Sequence, residues 1–406
     1  MPESETPART AWPAIGLLYL AGALAALQYA KVPWMLPSLL LQTPMSTVQQ
    51  ALVLSIIGIV GAIAGTFAGA VCQAAGLRRT LAFGLAVGTA GALLPLAASA
   101  YPMLLLARSI ESVAHMAIVV SVPTLMLSLC SPVDRPRVMA LWSCYFTITF
   151  ICAALVAPMV LRAAGWQGMA VLHALLMVVV GLLCWRLPHT DAQPSARQRI
   201  STQHILKAQF RLLGQGKLLA VPITFFGYTL LFVALVSVLP RWLSSNPAQA
   251  TQLAMALPCA SLVGTLLSMV VLSRGIAGYR IVAWSALGII LTGASLMLLP
   301  AQGWATLGTV FIAFILLGTL PAGVISSIPA LFSPGDADIT LVNGGLVQFG
   351  NLGNFVGSPV LAALLVQFGW ISMGAYLLAG GLIVSVCLVL LRRSIVKVQQ
   401  QPHMKT

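Results

Sequence analysis

The sequence predicts an all-α membrane protein: twelve transmembrane helices arranged as two six-helix pseudo-repeats. The 406-residue chain is 59% hydrophobic and 7% charged, against about a quarter charged in soluble domains. It cannot clothe a globule in charge, so it needs lipid. Apolar stretches close to the roughly 20 residues of a bilayer-spanning helix are centred near residues 24, 60, 90, 116, 150, 178, 230, 262, 291, 317, 354 and 382. Four landmarks recur at about half the chain length. Ala75-Gly76-Leu77-Arg78 returns as Ala277-Gly278-Tyr279-Arg280, Ser121-Val122-Pro123 as Ser327-Ile328-Pro329, Ser131-Pro132-Val133-Asp134 as Ser333-Pro334-Gly335-Asp336, and Gly165-Trp166 as Gly369-Trp370, at offsets of 202, 206, 202 and 204 residues. Four matches in one order point to a duplicated unit.

Taken in order, residues 1–11 form a polar N-terminal tail and 12–185 a first six-helix bundle. Residues 186–217 form a linker, 218–391 a second six-helix bundle, and 392–406 a polar tail expected to lack order beyond its first turn. The first apolar stretch outruns a signal peptide and lacks a small-residue cleavage site, so no removable leader is expected. Proline lies inside several spans: Pro33 and Pro37 in the first, Pro123 in the fourth, Pro158 in the fifth, Pro222 in the seventh, Pro321 and Pro329 in the tenth, Pro359 in the eleventh. Neighbouring helices re-satisfy the freed backbone groups there, and such helices bend. In the linker, Ile200, Leu206, Phe210 and Leu213 fall at helical spacing among basic residues. Two readings stand: a helix on the inner membrane surface, or a solvated linker with some helix in it.

The net charge of +14 would suggest nucleic acid in a soluble protein, but its placement excludes that partner. Starting the N-terminus in the cytoplasm puts 17 of the 21 lysines and arginines on one side. Both termini and the linker are therefore expected to be cytoplasmic in a bacterial inner (plasma) membrane. The seven cysteines sit in or at the ends of apolar segments without metal-ligand spacing, so neither disulfides nor a metal site is expected.

Several motifs resemble the major facilitator superfamily. Gly69-Ala-Val-Cys-Gln73-Ala-Ala-Gly76-Leu-Arg78-Arg79 is similar to the family's loop between the second and third spans, with Gln73 in place of its acid and Leu77 inserted before the basic pair. Arg108 matches the family's buried arginine, and Ala157-Pro158 resembles its glycine-proline motif, though the flanking glycines have become Ala and Arg162. Arg108-Ser-Ile-Glu111, Leu239-Pro240-Arg241-Trp242 and Gly369-Trp370 are most similar to the cyanate and nitroimidazole transporter group. The resemblance implies the major facilitator fold, and a role for Gly69, Gln73, Gly76, Arg78 and Arg79 as a conformational loop that holds the inward-closed state.

Glu111 is the one acidic residue inside a predicted span. Arg108, Glu111, Ser112 and His115 follow i, i+3, i+4, i+7 spacing and share an arc of about 100° on one helix face. An ionisable group at mid-membrane usually faces a cavity or a partner. Two readings remain open: a structural Arg108–Glu111 pair with His115 as a core hydrogen-bonding residue, or Glu111 or His115 exchanging protons while Arg108 biases them or binds an anion. Lys31, three residues after Gln28, either snorkels to the outer interface or, as the resemblance implies for spans one and four, borders the central cavity. On the eleventh span Asn343, Asn351, Asn354 and Ser358 share an arc of about 80° beside Gly350, Gly353 and Gly357. They form either a cavity wall or interhelical amide contacts. Tyr228, Thr224 and Tyr145 are further cavity candidates.

These features predict a secondary active transporter working by alternating access. It would move a small polar solute, anionic or zwitterionic because Lys31 and Arg108 outnumber Glu111, with protons as the coupling ion. There is no Walker loop, H-E-x-x-H pair or G-x-S-x-G elbow, so neither an ATP-driven pump nor an enzyme is expected, and no cofactor. The expected partners are substrate, protons and the bilayer, with the chain a monomer. The alternatives are a multidrug or metabolite exporter, siderophore-like solutes included, and a membrane sensor that has lost transport.

Overall fold

The structure, a computed structural model, describes residues 9–97, 100–187, 202–332 and 338–400. Among these there are helices and turns but no strand. The elements are α1 (Trp12–Ala30), α2 (Val32–Gln42), α3 (Thr47–Ser55), a 3-10 turn (Ile56–Gly58), α4 (Ile59–Ala75), α5 (Leu77–Ala97) and α6 (Tyr101–Ser128). After a 3-10 turn (Pro132–Asp134) come α7 (Arg135–Ser143), α8 (Tyr145–Trp185), α9 (Thr202–Gly214), α10 (Gly216–Leu243), α11 (Pro247–Ser273), α12 (Gly278–Leu298), α13 (Trp304–Ile325), α14 (Asp338–Phe368) and α15 (Ile371–Gln400). Eleven of the helical stretches are long and apolar enough to cross a membrane. One of them, the 41-residue α8, is interrupted at Gly165, where φ is +63°. Dividing it there gives twelve spanning segments.

That break is the clearest mark of the duplication. Gly165 and Gly369 have φ of +63° and +64°, a left-handed conformation that glycine enters without steric cost. Each turns the chain from one span into the next. The Gly76 and Gly278 pair behaves differently. Gly76 has φ of +89° and separates α4 from α5. Gly278 is the first residue of α12, and a Cβ there would collide with Ser326 and the Gly323 carbonyl. The turn glycine of the second repeat is Gly275, with φ of +81°. Pro123 lies inside α6 as expected, but α13 ends at Ile325 and leaves Pro329 in the turns beyond.

The chain divides into two compact units, Met1–Val60 with Phe67–Ser201, and Gly61–Thr66 with Thr202–Thr406. In the first, Ile15, Leu18 and Ala25 of α1 pack with Leu85 of α5, Ile118 and Met126 of α6 and Met177 of α8. A second cluster joins Met35, Leu36 and Leu39 of α2 to Val53, Leu104, Trp166 and Met169. The 3-10 turn at Ile56–Gly58 has a local cause: the Ser112 hydroxyl accepts the Val60 N–H at 3.1 Å, a side chain entering the backbone ladder.

In the second unit the glycines of α14 face α10. A Cβ at Gly353 would come within 2.8 Å of Leu230 N and the Phe226 carbonyl, and one at Gly350 within 2.9 Å of the Phe225 ring. Backbones approach this closely only with small residues at the contact. The Tyr376 hydroxyl of α15 fastens the same seam, donating to the Leu230 carbonyl at 2.6 Å with the Gly357 carbonyl 3.1 Å away. Of the tail expected to lack order beyond its first turn, residues 392–400 are helical, because α15 continues to Gln400 with Ser394 and Ile395 buried; residues 401–406 lie outside the described residues.

Candidate functional site

Pro33 has no N–H to continue the first span, and the helix breaks at Lys31 between α1 and α2. The Lys31 carbonyl accepts from Trp34 N and Met35 N at 3.1 Å each. One turn earlier, the Gln28 carbonyl accepts from Arg108 Nη1 at 2.7 Å. A lysine and an engaged carbonyl thus stand opposite the same face of α6.

Glu111 bridges two cations. Lys31 Nζ donates to its Oε1 and Arg108 Nη1 to its Oε2, while Arg108 Nε donates to the Val53 carbonyl at 3.0 Å. Lys31, Arg108 and Glu111 are 3%, 4% and 2% exposed. Lys31 does not snorkel. It turns inward and also lies 2.8 Å from His173 Nδ1, whose Nε2 is 3.0 Å from the Leu24 carbonyl. A carbonyl only accepts, so His173 Nε2 carries the proton and Nδ1 accepts from the lysine. His115 places Nδ1 3.0 Å from the Ala25 carbonyl and its ring 5.1 Å from Tyr29, edge to face. It sits beside the bridge as a donor to α1 and makes no ion pair among the described residues.

The bridge carries a net charge of +1 with neutral histidines. Arg108 Nη2 and both amide atoms of Gln28 are buried without a partner among the described residues. Beside the bridge lies a cavity of about 30 Å³, lined by Lys31, Arg108 and Glu111 and by Met35, Leu39, Gly91, Pro95 and Leu104 among others. That is room for at least one water molecule. Gly91 keeps it open, since a Cβ there would meet Glu111 Cγ at 2.8 Å.

His173 escaped the sequence reading. It stands in α8 at the centre of Val171-Leu172-His173-Ala174-Leu175, and an ionisable residue in an apolar span is itself a signal. Helical spacing on the fourth span hid it, because it lies on the sixth span and its hydrogen-bond partners, Lys31 and the Leu24 carbonyl, lie on the first. Tyr145 stacks on Trp142 at 4.2 Å and 8° and touches Phe146, which packs on Tyr29. It belongs to an aromatic row running toward His115.

In the second unit Asn351 is buried and donates to the Val347 carbonyl at 2.8 Å. Asn354 keeps a buried Oδ1 without a partner among the described residues, whereas Asn343 is exposed. Thr224 is buried and donates to the Ala220 carbonyl at 2.7 Å. Tyr228 lies between Phe225 and Phe232, 5.5 Å from each.

Of the expected conformational loop, Gly69 lies within α4 and Gly76 makes the turn. The Gln73 side chain falls outside the described residues. Arg78 donates from Nη2 to the Trp185 carbonyl at the end of α8, at 2.9 Å; Arg79 is exposed.

A duplicated, all-helical chain of twelve spans with an ion bridge buried in its first bundle has the form of a multi-pass membrane transporter. The chain belongs to the major facilitator superfamily, whose family model matches residues 12–344. It is accordingly a secondary transporter and not an enzyme. Among 302 matching chains of solved structures is the crystal structure of a point mutant of the nucleoside transporter NupG, at 16% identity and a TM-score of 0.72, covering 94% of this chain and 99% of that one. That likeness is one of fold. A comparison with curated proteins finds no match.

Proposed function

We propose that this protein is a proton-coupled secondary transporter that moves a small polar organic solute, anionic or zwitterionic, across the bacterial inner membrane by alternating access, as a monomer with both termini in the cytoplasm. The observation that carries the reading is the buried Lys31–Glu111–Arg108 bridge with His173 on its lysine. Apart from Asp338 at the tip of α14, Glu111 is the one carboxylate in the spans among the described residues. Two cations hold it ionised, so it takes a proton only when one of them moves away, and a moving lysine frees His173 Nδ1 at the same time. Proton occupancy is thereby tied to a change in helix packing, which is what coupling requires.

The preference for a negative or zwitterionic solute rests on the bridge's net charge of +1. Both bases are occupied by Glu111, so they act on a solute through their field more than by contact. Asn351 and Asn354 supply neutral polar groups on α14. The 17 basic residues on one side support the orientation.

Reconstituted vesicles with an imposed pH gradient test this. A panel of organic anions, zwitterions, nucleosides and lipophilic cations is offered while internal pH is recorded. Gradient-driven uptake of an anion or zwitterion with matching proton movement is expected. Uptake of cations alone, or flux indifferent to the gradient, would overturn the proposal.

A further inference from the structure

Helix α9 has an apolar face that the rest of the described chain leaves uncovered. Leu206, Phe210 and Leu213 are 52%, 72% and 47% exposed. At about 100° per residue they share an arc of about 60°. The neighbouring face carries Lys207 and Arg211, both exposed. On another side Leu212 is fully buried, in reach of Gly345 on α14, and Arg211 pairs with Asp338 at the start of α14 at 2.7 Å. The helix is therefore docked on the second unit in a fixed rotation, with its apolar stripe left uncovered.

Its position follows from connectivity. Gln215 alone separates α9 from the spanning helix α10, and its N–H donates back to the Arg211 carbonyl at 3.2 Å. At about 1.5 Å per residue, Phe210 lies within about 10 Å of the end of that span. The same corner is strongly basic. Lys217 stands over the Phe332 ring at 4.4 Å, and Gly216 lies beside Leu390, just before Arg392 and Arg393 of α15. Lys207, Arg211, Lys217, Arg392, Arg393 and Lys397 there face one carboxylate among the described residues, Asp338.

We propose that α9 lies in the headgroup layer of the leaflet on the side of the basic loops, with Leu206, Phe210 and Leu213 in the acyl boundary and the surrounding basic residues holding anionic phospholipid. An amphipathic helix with an apolar stripe and flanking Lys/Arg inserts to this depth, and polybasic clusters beside a span concentrate anionic lipid. The proposal needs only that the chain spans the membrane, so it stands or falls apart from the transport reading.

The test places the photoreactive residue p-benzoyl-phenylalanine at position 210, and as control at position 208 on the opposite side of the helix, in the full chain in phosphatidylethanolamine–phosphatidylglycerol vesicles. After illumination, phospholipid adducts are expected about fivefold more often at 210 than at 208, with phosphatidylglycerol enriched above its mole share. Equal labelling at both positions, or crosslinks from 210 to a second copy of the chain, would overturn it. Hydrogen exchange on the unsubstituted protein adds a second reading. Amides of residues 206–213 should exchange several-fold more slowly in phosphatidylglycerol nanodiscs than in phosphatidylcholine ones. Identical rates would remove the role of the anionic headgroup.

Discussion

Lys31 and Glu111, 80 residues apart in sequence, form a buried ion pair at the point where the first span breaks, two residues before Pro33. Lys31 itself keeps helical angles and donates its N–H to the Leu27 carbonyl at 2.9 Å, so the break falls just beyond it. With Arg108 on the other carboxylate oxygen, Glu111 neutralises one of two buried cations and shares the other. Breaking a buried pair costs more than the pair contributes, since a charge is left without compensation.

Glu111→Gln is therefore expected both to abolish proton uptake and to destabilise the first bundle by about 3–5 kcal/mol, with two cations left against a neutral amide. Substrate exchange without a gradient should persist in whatever protein folds. Adding Lys31→Met removes one of the stranded charges and should recover at least about 1 kcal/mol in a double-mutant cycle. Thermal unfolding in detergent measures both. Additive effects would mean that Lys31 and Glu111 do not interact.

Arg78 and Arg79 stand side by side in the loop motif but are built in differently. Arg78 closes the end of α8 through the Trp185 carbonyl, where a cation also meets the negative end of a helix dipole. Arg78→Ala should cost about 1–2 kcal/mol of stability, and Arg79→Ala within about 0.5 kcal/mol of nothing. As the family's loop motif implies, neutralising both should change turnover more than substrate affinity. A large loss of affinity at full turnover would contradict that part.

Asp134 ties the start of α1 to the turn after α6. Thr10 Oγ1 donates to its Oδ2 at 2.5 Å and accepts from Ser131 N at 3.0 Å, while Arg137 Nη1 donates to its Oδ1 at 3.1 Å. The Thr10 hydroxyl first, then Ser131 and Arg137, hold the carboxyl below its ordinary value of 3.8. Because the folded value is the lower one, the clamp contributes fully above that range and is lost as pH falls through the folded value. Proteolysis near residue 10 should accelerate below about pH 4 in the native chain. In Asp134→Asn it should be fast at every pH, and a flat profile in the native chain would refute the clamp.

Much of the architecture was legible because membrane spans announce themselves by length and apolarity, and because Gly165-Trp166 and Gly369-Trp370 repeat both sequence and backbone angle. Gly76 and Gly278 match in sequence but not in backbone angle, since a glycine needed for close packing and one needed for a left-handed turn look alike in sequence. Pro329 misled for a related reason: proline marks a bend or an end, and the tenth span ends where the fourth continues. At the site, i, i+3 spacing brought Arg108 and Glu111 together. Lys31's inward turn and His173's approach depend on packing among three separate spans, and no local pattern records that.

His173 gives the sharpest test of whether the bridge carries protons. Its Nδ1 accepts from Lys31 at 2.8 Å and its Nε2 donates to the Leu24 carbonyl at 3.0 Å. A glutamine can offer an oxygen to the lysine and an N–H to the carbonyl, so it preserves the packing without a group that titrates in the physiological range. If His173 only braces Lys31, His173→Gln should change stability by no more than about 1 kcal/mol and leave coupling intact. If Lys31 and His173 exchange a proton when Glu111 is released, the variant should keep its fold and lose at least about tenfold in gradient-driven uptake, an effect of about 1.4 kcal/mol on the driven step. It should also flatten the pH profile of uptake, while exchange of substrate across the membrane at equal pH continues at its native rate. Stability, driven uptake and exchange measured on one preparation separate the outcomes. Intact driven uptake with an unchanged pH profile would confine His173 to a bracing role and leave Glu111 as the sole proton carrier of the bridge.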